Sequence, residues 1–289
     1  MQGFILAAGK GTRLRPYSFF LPKPLFPILG VPILEVLVRR LITLEIRKIG
    51  INLWYQKEKI KKFLVKLETK YDVNFWIFEE PVLLGTGGGI LNAKSFFKKD
   101  STLVINSDIL TNTSLKNFLS FHYASNNPIS MIFVKGKNDN VRIDTTQNKV
   151  LQFRTSGKSC FTYGGIQIIE PDAVKVFSEC SDLIEIYQDL LKRGINIGAF
   201  LSKDYFRDIG TLNDYLASHQ DILLKKVHLP GIPEVKNSIV IKNSTLKEVK
   251  VKEWAYIEGA TIKNAILKRC VVWNGAKIAR GSYDWCILT

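Results

Sequence analysis

The sequence predicts an α/β domain built on a mixed, mostly parallel sheet, followed by a short parallel β-helix. Strand-like and helix-like segments alternate from the start of the chain to about residue 108. A glycine-rich loop follows the first strand, and a repeat of 16 residues begins after Pro233. We therefore divide the chain into an α/β domain at residues 1–228, a linker at 229–233 and a β-helix at 234–289.

The first part of the chain has the pattern of βαβ units. Pro22, Pro24 and Pro27 exclude a helix before Pro32, which suits the first turn of the next helix. Apolar runs of strand length then alternate with stretches whose apolar residues recur at helical spacing. We expect strands at 3–8, 49–54, 73–78 and 102–105, and helices at 33–46, 60–67 and, after a glycine cluster at 85–89, at 90–97.

The second part of the domain is richer in strands at first, between residues 129 and 169. We expect a helix at 183–191, which Gly194 stops, a strand at 195–201 and a closing helix at 212–226. In α/β sheets ligands bind beyond the carboxyl ends of the strands. The loop at 9–12 and Asp108 both follow such ends, so we expect the ligand site there.

The segment after Pro233 repeats itself. A shift of 16 residues aligns 255–262 with 271–278 and brings Cys270 onto Cys286. A fixed period with small residues at the turns is typical of stacked β coils, each too short to bury a core alone. The segment resembles the left-handed hexapeptide-repeat helices; an ordinary meander is the alternative.

Composition narrows the class of protein. The 41 Lys and Arg against 26 Asp and Glu give a net charge of +15, which favours anionic ligands. No stretch of 18 apolar residues predicts a membrane span, and the amino end has the pattern of a first strand rather than a signal peptide. The four cysteines form neither a disulfide framework nor a CxxC pair, so we expect a reducing cytoplasm and no structural zinc.

The most informative string runs from Leu6 to Pro24. It is not a Walker A loop, because Gly11 follows Lys10, and it is not a GxGxxG fingerprint, because Leu14 stands at the third glycine position. Small residues let backbone N–H groups approach a phosphate, while Arg13 and Lys23 supply positive charge. The string therefore predicts a polyphosphate site.

The whole string resembles the signature of the sugar-1-phosphate nucleotidylyltransferases. The resemblance extends over nearly the whole chain and includes Glu80 to Ile90, Asn106 to Asp108, Phe161 to Ile166 and Arg207 to Thr211. It implies a Rossmann-like nucleotidyltransferase domain. Within the family the sequence is most similar to the mannose-1-phosphate guanylyltransferases and the N-acetylmuramic acid 1-phosphate uridylyltransferases.

The resemblance implies attack by a sugar 1-phosphate oxygen on the α-phosphorus of an NTP, giving an NDP-sugar and pyrophosphate. Arg13 would stabilise the pyrophosphate, Lys23 would contact the α-phosphate, and Asp108 would complete the catalytic set. Asp108 and Asp208 would hold Mg²⁺, which usually takes one or two protein carboxylates. The alternatives are a turn or N-cap role for Asp108 and a helix N-terminal charge at Asp208.

Further contacts are implied in the same way. Nucleotide binding would involve Leu6, Ala7, Ala8, Gly9, Gly11, Thr12, Arg13, Glu80, Gly85 and Thr86, and sugar-phosphate binding would involve Gly164, Gly165 and Glu185. Glu185 could equally be a solvated helix residue. Two positions depart from the family: Ser107 replaces a glycine, and only Arg154 and Lys158 are available where relatives often have a sugar-phosphate lysine.

We expect a mannose-1-phosphate guanylyltransferase. The alternatives are a UTP- or dTTP-dependent sugar-1-phosphate nucleotidylyltransferase and a catalytically silent, nucleotide-sugar-sensing relative. A zinc or acyltransferase site in the β-helix is excluded, because His122, His219 and His228 all precede it. We expect an NTP and a sugar 1-phosphate as partners, no nucleic acid, no membrane, and a homo-oligomer formed through the β-helix.

Overall fold

A nine-stranded mixed sheet organises the first domain in the computed structural model, which describes residues 1–135, 140–155 and 160–289. The strands of this domain are β1 (Gln2–Leu6), β2 (Pro27–Ile28), β3 (Val31–Pro32), β4 (Lys48–Leu53), β5 (Asn74–Glu79), β6 (Thr102–Asn106), β7 (Ile109–Thr111), β8 (Ile129–Val134), β9 (Val141–Asp144), β10 (Lys149–Gln152), β11 (Cys160–Ile169), β12 (Ile197–Ser202) and β13 (Phe206–Asp208). The helices are α1 (Tyr17–Phe20), α2 (Ile33–Ile42), α3 (Lys57–Tyr71), α4 (Gly85–Asn92), α5 (Leu115–Ser125), α6 (Pro171–Lys175), α7 (Leu183–Lys192) and α8 (Leu212–Leu223).

The sheet has the order β5-β4-β1-β6-β11-β8-β12-β10-β9. The first four of these strands are parallel, as expected for βαβ units. The prediction of a mostly parallel sheet was too strong, because β11 runs antiparallel to β6, β8 and β9, and β10 runs antiparallel to β9 and β12. The parallel half carries the predicted ligand end.

Two apolar layers cover the faces of this sheet. One cluster includes Ile5, Leu37 and Ile105 and is formed with α2, α3 and α8; the other includes Phe4, Val104 and Tyr187 and is formed with α4, α6 and α7. Successive residues of β1 thus point to opposite layers, as strand geometry requires. Both layers fix the carboxyl ends of β1, β4 and β6 against each other.

Two helix boundaries differ from the sequence prediction. Helix α2 ends at Ile42 rather than 46, because Glu45 adopts a left-handed φ of 60° and turns Ile46 into the core. Helix α4 starts at Gly85, inside the glycine cluster, and ends at Asn92 instead of 97. The glycines were expected to form a loop, but they form the first turns of the helix.

The second domain consists of β14 (Ile239–Lys242), β15 (Thr245–Glu258), β16 (Thr261–Val272), β17 (Lys277–Ile278) and β18 (Gly281–Leu288). Consecutive strands pair in parallel, mostly with a 16-residue register such as Ile239 with Ala255 and Cys270 with Cys286. A bulge after Lys252 shortens one register, so that Ala255 pairs with Cys270 rather than with Val271. The predicted period is confirmed, but the alignment of 255 with 271 was wrong by one residue.

Left-handed residues form the corners of these coils. They recur every 16 residues in three series, Asn243, Gly259 and Gly275, then Glu248 and Asn264, then Glu253, Arg269 and Trp285, all with positive φ. A left-handed residue reverses the local direction of an extended chain. Three corners per coil explain how each coil returns to its starting point and pairs with the next.

The coils pack directly on the first domain. Trp254, Val271 and Ile287 belong to the same apolar cluster as Ile5 and Leu37. Tyr17 donates its hydroxyl to the Ile287 carbonyl at 2.8 Å, and Trp273 Nε1 donates to the Tyr215 hydroxyl at 2.9 Å. None of the helices in the described ranges has the length and hydrophobicity needed to span a bilayer.

Candidate active site

A cleft of about 480 Å³ opens at the carboxyl ends of β1, β4 and β6. It is lined by Leu6, Ala8, Gly9, Lys10, Gly11, Thr12, Arg13, Lys23, Pro24, Asn52, Leu83, Gly85, Thr86, Asn106, Ser107, Asp108 and Gly210. The chain thus assembles the signature loop, the glycine helix and Asp108 at the edge where α/β sheets bind ligands. The predicted nucleotide residues Leu6, Ala8, Gly9, Gly11, Thr12, Arg13, Gly85 and Thr86 all line this cleft.

The signature loop presents free backbone donors. No hydrogen bond within the described part of the chain uses the backbone N–H groups of Gly9 to Arg13. Gly11 has a left-handed φ of 63°, which turns the loop, and a Cβ at Gly9 would meet nothing within 4 Å. Ala7 differs, because its N–H donates to Asn52 Oδ1 at 2.8 Å. The loop can therefore receive an anion from residue 9 onward.

The two aspartates, 100 residues apart in sequence, meet beside this loop. Asp108 lies between β6 and β7, and β13, which ends at Asp208, pairs antiparallel with β7. The Ile209 N–H donates to the Asp108 carbonyl at 2.9 Å. Lys23 Nζ lies 2.5 Å from Asp108 Oδ2 and 3.6 Å from Asp208 Oδ1. One ammonium thus bridges both carboxylates.

The carboxylate pair has the electrostatics of a cation site. Burial, together with the nearby charge of Asp108, raises the pKa of Asp208, while Lys23 and Arg13 oppose that shift. Oδ1 of Asp108 and Oδ1 of Asp208 are buried without a hydrogen-bond donor. Groups of three or more His, Cys, Asp or Glu side chains able to hold a metal are absent from the described ranges. The orphaned oxygens fit a hard cation such as Mg²⁺, which takes few protein ligands.

Gly210 makes room for Arg13. A Cβ at Gly210 would lie only 2.8 Å from Arg13 Nη2, so the guanidinium rests on the bare backbone of this glycine. Thr211 then caps α8, its Oγ1 accepting the Asp214 N–H at 3.1 Å. The string Arg207 to Thr211 therefore joins Asp208, the seat of Arg13 and a helix start.

The glycine helix forms the opposite wall. Gly85 has φ of 77°, and a Cβ there would approach the Ser181 carbonyl to 2.5 Å. Thr86 Oγ1 accepts the Leu183 N–H at 3.4 Å. Glu80 is only 2% exposed and does not line the cleft. Its carboxylate instead accepts from Asn52 Nδ2 at 2.7 Å and from the Leu84 N–H at 2.9 Å.

The predicted sugar-side residues lie beyond Asp108. Gly165 has φ of 69°, and a Cβ there would lie 2.6 Å from Ile109 Cγ1, so β11 passes tightly under the Asp108 turn. A Cβ at Gly164 would likewise approach the Ile132 carbonyl to 3.1 Å. Neither glycine lines the cleft described above.

Glu185 is half exposed and accepts from Cys180 Sγ and from Arg154 Nη1, both at 3.1 Å. These two contacts, Cys180 first, hold the pKa of Glu185 below its usual range. Arg154 also pairs with Asp182, so its charge is shared between two acids. Lys158 lies outside the described residues.

Sequence reasoning missed two polar residues at this site. Asn52 ends an apolar strand and is 2% exposed, yet both of its amide atoms are hydrogen-bonded at the cleft. The Tyr163 hydroxyl is buried without a hydrogen-bond partner, and burial plus the charge of Asp108 raises its pKa. A polar side chain directly after a buried strand was the signal available for Asn52.

Comparisons with known proteins agree with this geometry. Residues 2–143 match the family model described as nucleotidyl transferase. The bifunctional protein GlmU of Methanococcus maripaludis is 30% identical over 91% of this chain and 62% of that protein. The mannose-1-phosphate guanylyltransferase of Mycobacterium tuberculosis is 27% identical over 77% of this chain and 65% of that protein. The chain thus spans somewhat over half of the length of these relatives.

Solved structures share the fold. HddC from Yersinia pseudotuberculosis superposes with a TM-score of 0.63 at 26% identity, covering 75% of this chain and 97% of that one. A protein from Bacillus anthracis, described as a putative glucose-1-phosphate thymidylyltransferase, has a TM-score of 0.68 at 19% identity over 75% of this chain and 93% of that one. The α/β architecture of the first domain is therefore that of these proteins.

Proposed function

Because residues 2–143 match the nucleotidyl transferase family, we propose that this chain transfers a nucleotidyl group from an NTP to a sugar 1-phosphate. The products are an NDP-sugar and pyrophosphate. The observation that carries the proposal is the bridge of Lys23 between Asp108 and Asp208, next to a loop of free N–H groups. Relatives named for this kind of transfer support it.

In the proposed reaction an oxygen of the sugar 1-phosphate attacks the α-phosphorus, and the bond to the pyrophosphate oxygen breaks. The attacking phosphate is ionised at neutral pH, so positioning and charge neutralisation do most of the work. The N–H groups of residues 9–13 and Arg13 bind the leaving phosphates. Lys23 neutralises the charge that develops at the α-phosphate, and its loss costs roughly 10²–10³-fold in rate.

Asp108 and Asp208 are the proposed ligands of Mg²⁺, since each has a buried oxygen without a donor. The bound ion would supply positive charge to the phosphate oxygens. On the protein side, the β7–β13 pairing and the Ile209 N–H hold the two carboxylates together. Arg13, seated on Gly210, brings a further cation to the same place.

The remaining binding residues keep the roles proposed from the resemblance. Ala8, Gly85 and Thr86 would face the base or ribose, and Ala7 and Glu80 would shape that wall from behind. Gly164, Gly165 and Glu185 would approach the sugar. Ser107 lines the cleft with its N–H donated to the Leu6 carbonyl at 3.0 Å, and it has no left-handed φ that would require glycine.

Among substrates, GTP with mannose 1-phosphate is the first choice. The guanylyltransferase name of several relatives supports it, as does the HddC structure complexed with GMP-PN at 25% identity. UTP or dTTP with another hexose 1-phosphate is the alternative. A catalytically silent nucleotide-sugar-sensing protein would bind the same ligands without turnover.

For the second domain we propose a left-handed β-helix that mediates homo-oligomer formation. The parallel 16-residue register and the three left-handed corners per coil support the β-helix. The strand edges at the two ends of the stack are available for further contacts. All four cysteines are free thiols, which is consistent with the proposed cytoplasmic location.

The test is a matrix of five NTPs against a set of sugar 1-phosphates with Mg²⁺, read by pyrophosphate release. We expect turnover with at least one pair, GTP and mannose 1-phosphate first. Asp108→Asn should abolish it, whereas Lys66→Met, an exposed change on α3, should leave it intact. Tight nucleotide binding without turnover by any pair would favour the silent relative, and neither binding nor turnover would refute the proposal.

A further inference from the structure

Asn52 connects the two segments that line the nucleotide side of the cleft. Its Oδ1 accepts the N–H of Ala7, where β1 passes into the signature loop, at 2.8 Å. Its Nδ2 donates to Glu80 Oε1 at 2.7 Å, and Glu80 Oε2 accepts the Leu84 N–H at 2.9 Å. Leu84 directly precedes α4. A chain of three hydrogen bonds thus runs from the loop to the glycine helix.

This chain of hydrogen bonds is buried and closely packed. Asn52 and Glu80 are each 2% exposed, so neither can exchange its partner for bulk water. A Cβ at Gly89 would lie 2.6 Å from Asn52 Nδ2 and 3.0 Å from Glu80 Oε1. The last glycine of α4 therefore leaves room for the contact. No salt bridge to Glu80 exists within the described ranges, so hydrogen bonds alone hold its carboxylate.

From this geometry we infer that Asn52 is a positioning residue for the nucleotide, a role that rests on the function proposed above. Within these three hydrogen bonds, Asn52 is the side chain that both accepts and donates. It fixes the spacing between the loop that receives the phosphates and the helix start that lines the base side. Asn52 and Glu80 lie away from the Lys23–Asp108 pair, so they act on nucleotide affinity rather than on the transfer step.

The order of donors and acceptors gives a test by exchange. In Asn52→Asp the new carboxylate still accepts from Ala7 but faces the Glu80 carboxylate, so two acceptors oppose each other. In Glu80→Gln the amide still accepts from Leu84 but presents an N–H₂ to Asn52, so two donors oppose each other. In the double variant the new amide at position 80 donates to the new carboxylate at position 52, and all three bonds are restored with one donor reversed.

The experiment measures the dissociation constants of GTP, UTP and dTTP by calorimetry without a sugar phosphate. For the nucleotide that the wild type binds best, we expect roughly 10- to 100-fold weaker binding by each single variant, since each leaves buried polar groups opposed. The double variant should return to within about threefold of wild type. Asn74→Asp, the same change at an exposed position on β5, should bind like wild type.

Thermal unfolding of the same variants separates the two proposals. If the wild type binds no nucleotide, the proposed function fails, while a midpoint restored only in the double variant still shows the hydrogen-bond chain. If the wild type binds but the single variants bind equally well, the positioning role of Asn52 is refuted. It is also refuted if the double variant binds no better than the weaker single variant, or does not fold.

Discussion

Lys23 holds together two carboxylates that would otherwise repel each other. Its ammonium lies 2.5 Å from Asp108 and 3.6 Å from Asp208, and both aspartates keep a buried oxygen without a donor. Without a nucleotide or metal, this lysine is the counter-ion of the pair. With phosphates present, the same ammonium is within reach of the cleft that it lines.

The dual role of Lys23 predicts effects of opposite sign in one variant. Lys23→Met should lower pyrophosphate release roughly 10²–10³-fold, because an α-phosphate cation is lost. The ligand-free variant should nevertheless bind Mn²⁺ roughly tenfold or more tightly, because the competing charge between the carboxylates is gone. Electron paramagnetic resonance titration measures the Mn²⁺ affinity.

Lys10→Met is the matched control, since Lys10 also lines the cleft but makes no ion pair within the described ranges. Its Mn²⁺ affinity should change much less than that of Lys23→Met. Unchanged or weaker Mn²⁺ binding by Lys23→Met would contradict the counter-ion role.

At the residue scale, the charged groups were predictable and the neutral ones were not. Arg13, Lys23, Asp108 and Asp208 stand in distinctive strings, and the fold brings all four together. A single Asn after a buried strand has no such string, and its two partners lie 45 and 28 residues away. The contact depends on strand order, which local sequence does not specify.

At the element scale, the glycines of α4 serve packing more than flexibility. A Cβ at Gly87 would lie 2.5 Å from the Cys180 carbonyl, and the Gly87 N–H donates to the Ser181 carbonyl at 2.8 Å. The helix therefore presses against the segment before α7. Composition alone suggested a loop here, because glycine is a poor helix former and the close neighbour is about 95 residues away.

The packing role of Gly87 reverses the usual effect of alanine in a helix. Gly87→Ala should destabilise the protein by about 1–3 kcal/mol through overpacking against a backbone carbonyl. Helix propensity alone predicts about 1 kcal/mol in the other direction. Urea unfolding at neutral pH measures the difference, and a gain in stability would show that this close approach is not what the glycine provides.

The corners of the coils also carry strain that can be relieved. Glu248 has φ of 55°, is exposed and makes no ion pair within the described residues, while the next coil has Asn264 at the same corner. Since Asn tolerates a left-handed backbone, Glu248→Asn should stabilise the protein by up to about 1 kcal/mol. Glu179→Asn, at an exposed residue without positive φ, should give no gain, and equal effects of both changes would contradict this account.

The 16-residue period was visible in the sequence because every coil repeats the same corners. The bulge after Lys252, which shifts the pairing of Ala255 to Cys270, was not visible. It depends on how Trp254, 1% exposed, fits the shared core beneath it. Local repetition thus predicted the coils, whereas contacts between domains decided their detailed register.

At the scale of the whole molecule, the coils and the α/β domain share one core. Phe26, Tyr215 and Trp273 meet with ring centroids 5.0 to 6.2 Å apart, and His219 lies beneath them between the Leu29 N–H and the Tyr215 carbonyl. The predicted linker is part of this joint, since Leu229 and Ile232 are buried and the Gly231 carbonyl accepts from Arg39. We therefore expect both domains to unfold together.

His219 makes this joint sensitive to acid. Burial lowers the pKa of His219 to about 4 from its usual 6.5. Between these values the unfolded chain binds a proton that the folded chain does not, so stability falls as the pH drops from about 6.5 to about 4, by roughly 1.4 kcal/mol per unit. His219→Gln should flatten this part of the stability curve, measured by urea unfolding.

His228→Gln is the control, because His228 is 61% exposed. Its stability curve should follow that of the wild type through the same range. A wild-type curve as flat as that of His219→Gln would contradict the assignment of this acid sensitivity to His219.

The central claim is that this cleft joins a sugar phosphate to the α-phosphate of a nucleotide. The most direct measurement follows α-³²P-labelled GTP with mannose 1-phosphate and the other sugar 1-phosphates. The label should pass into an NDP-sugar in step with pyrophosphate release, and Asp108→Asn should stop both. Label that stays in GTP with every sugar phosphate, or that appears only as free GMP, with UTP and dTTP behaving alike, would contradict the account.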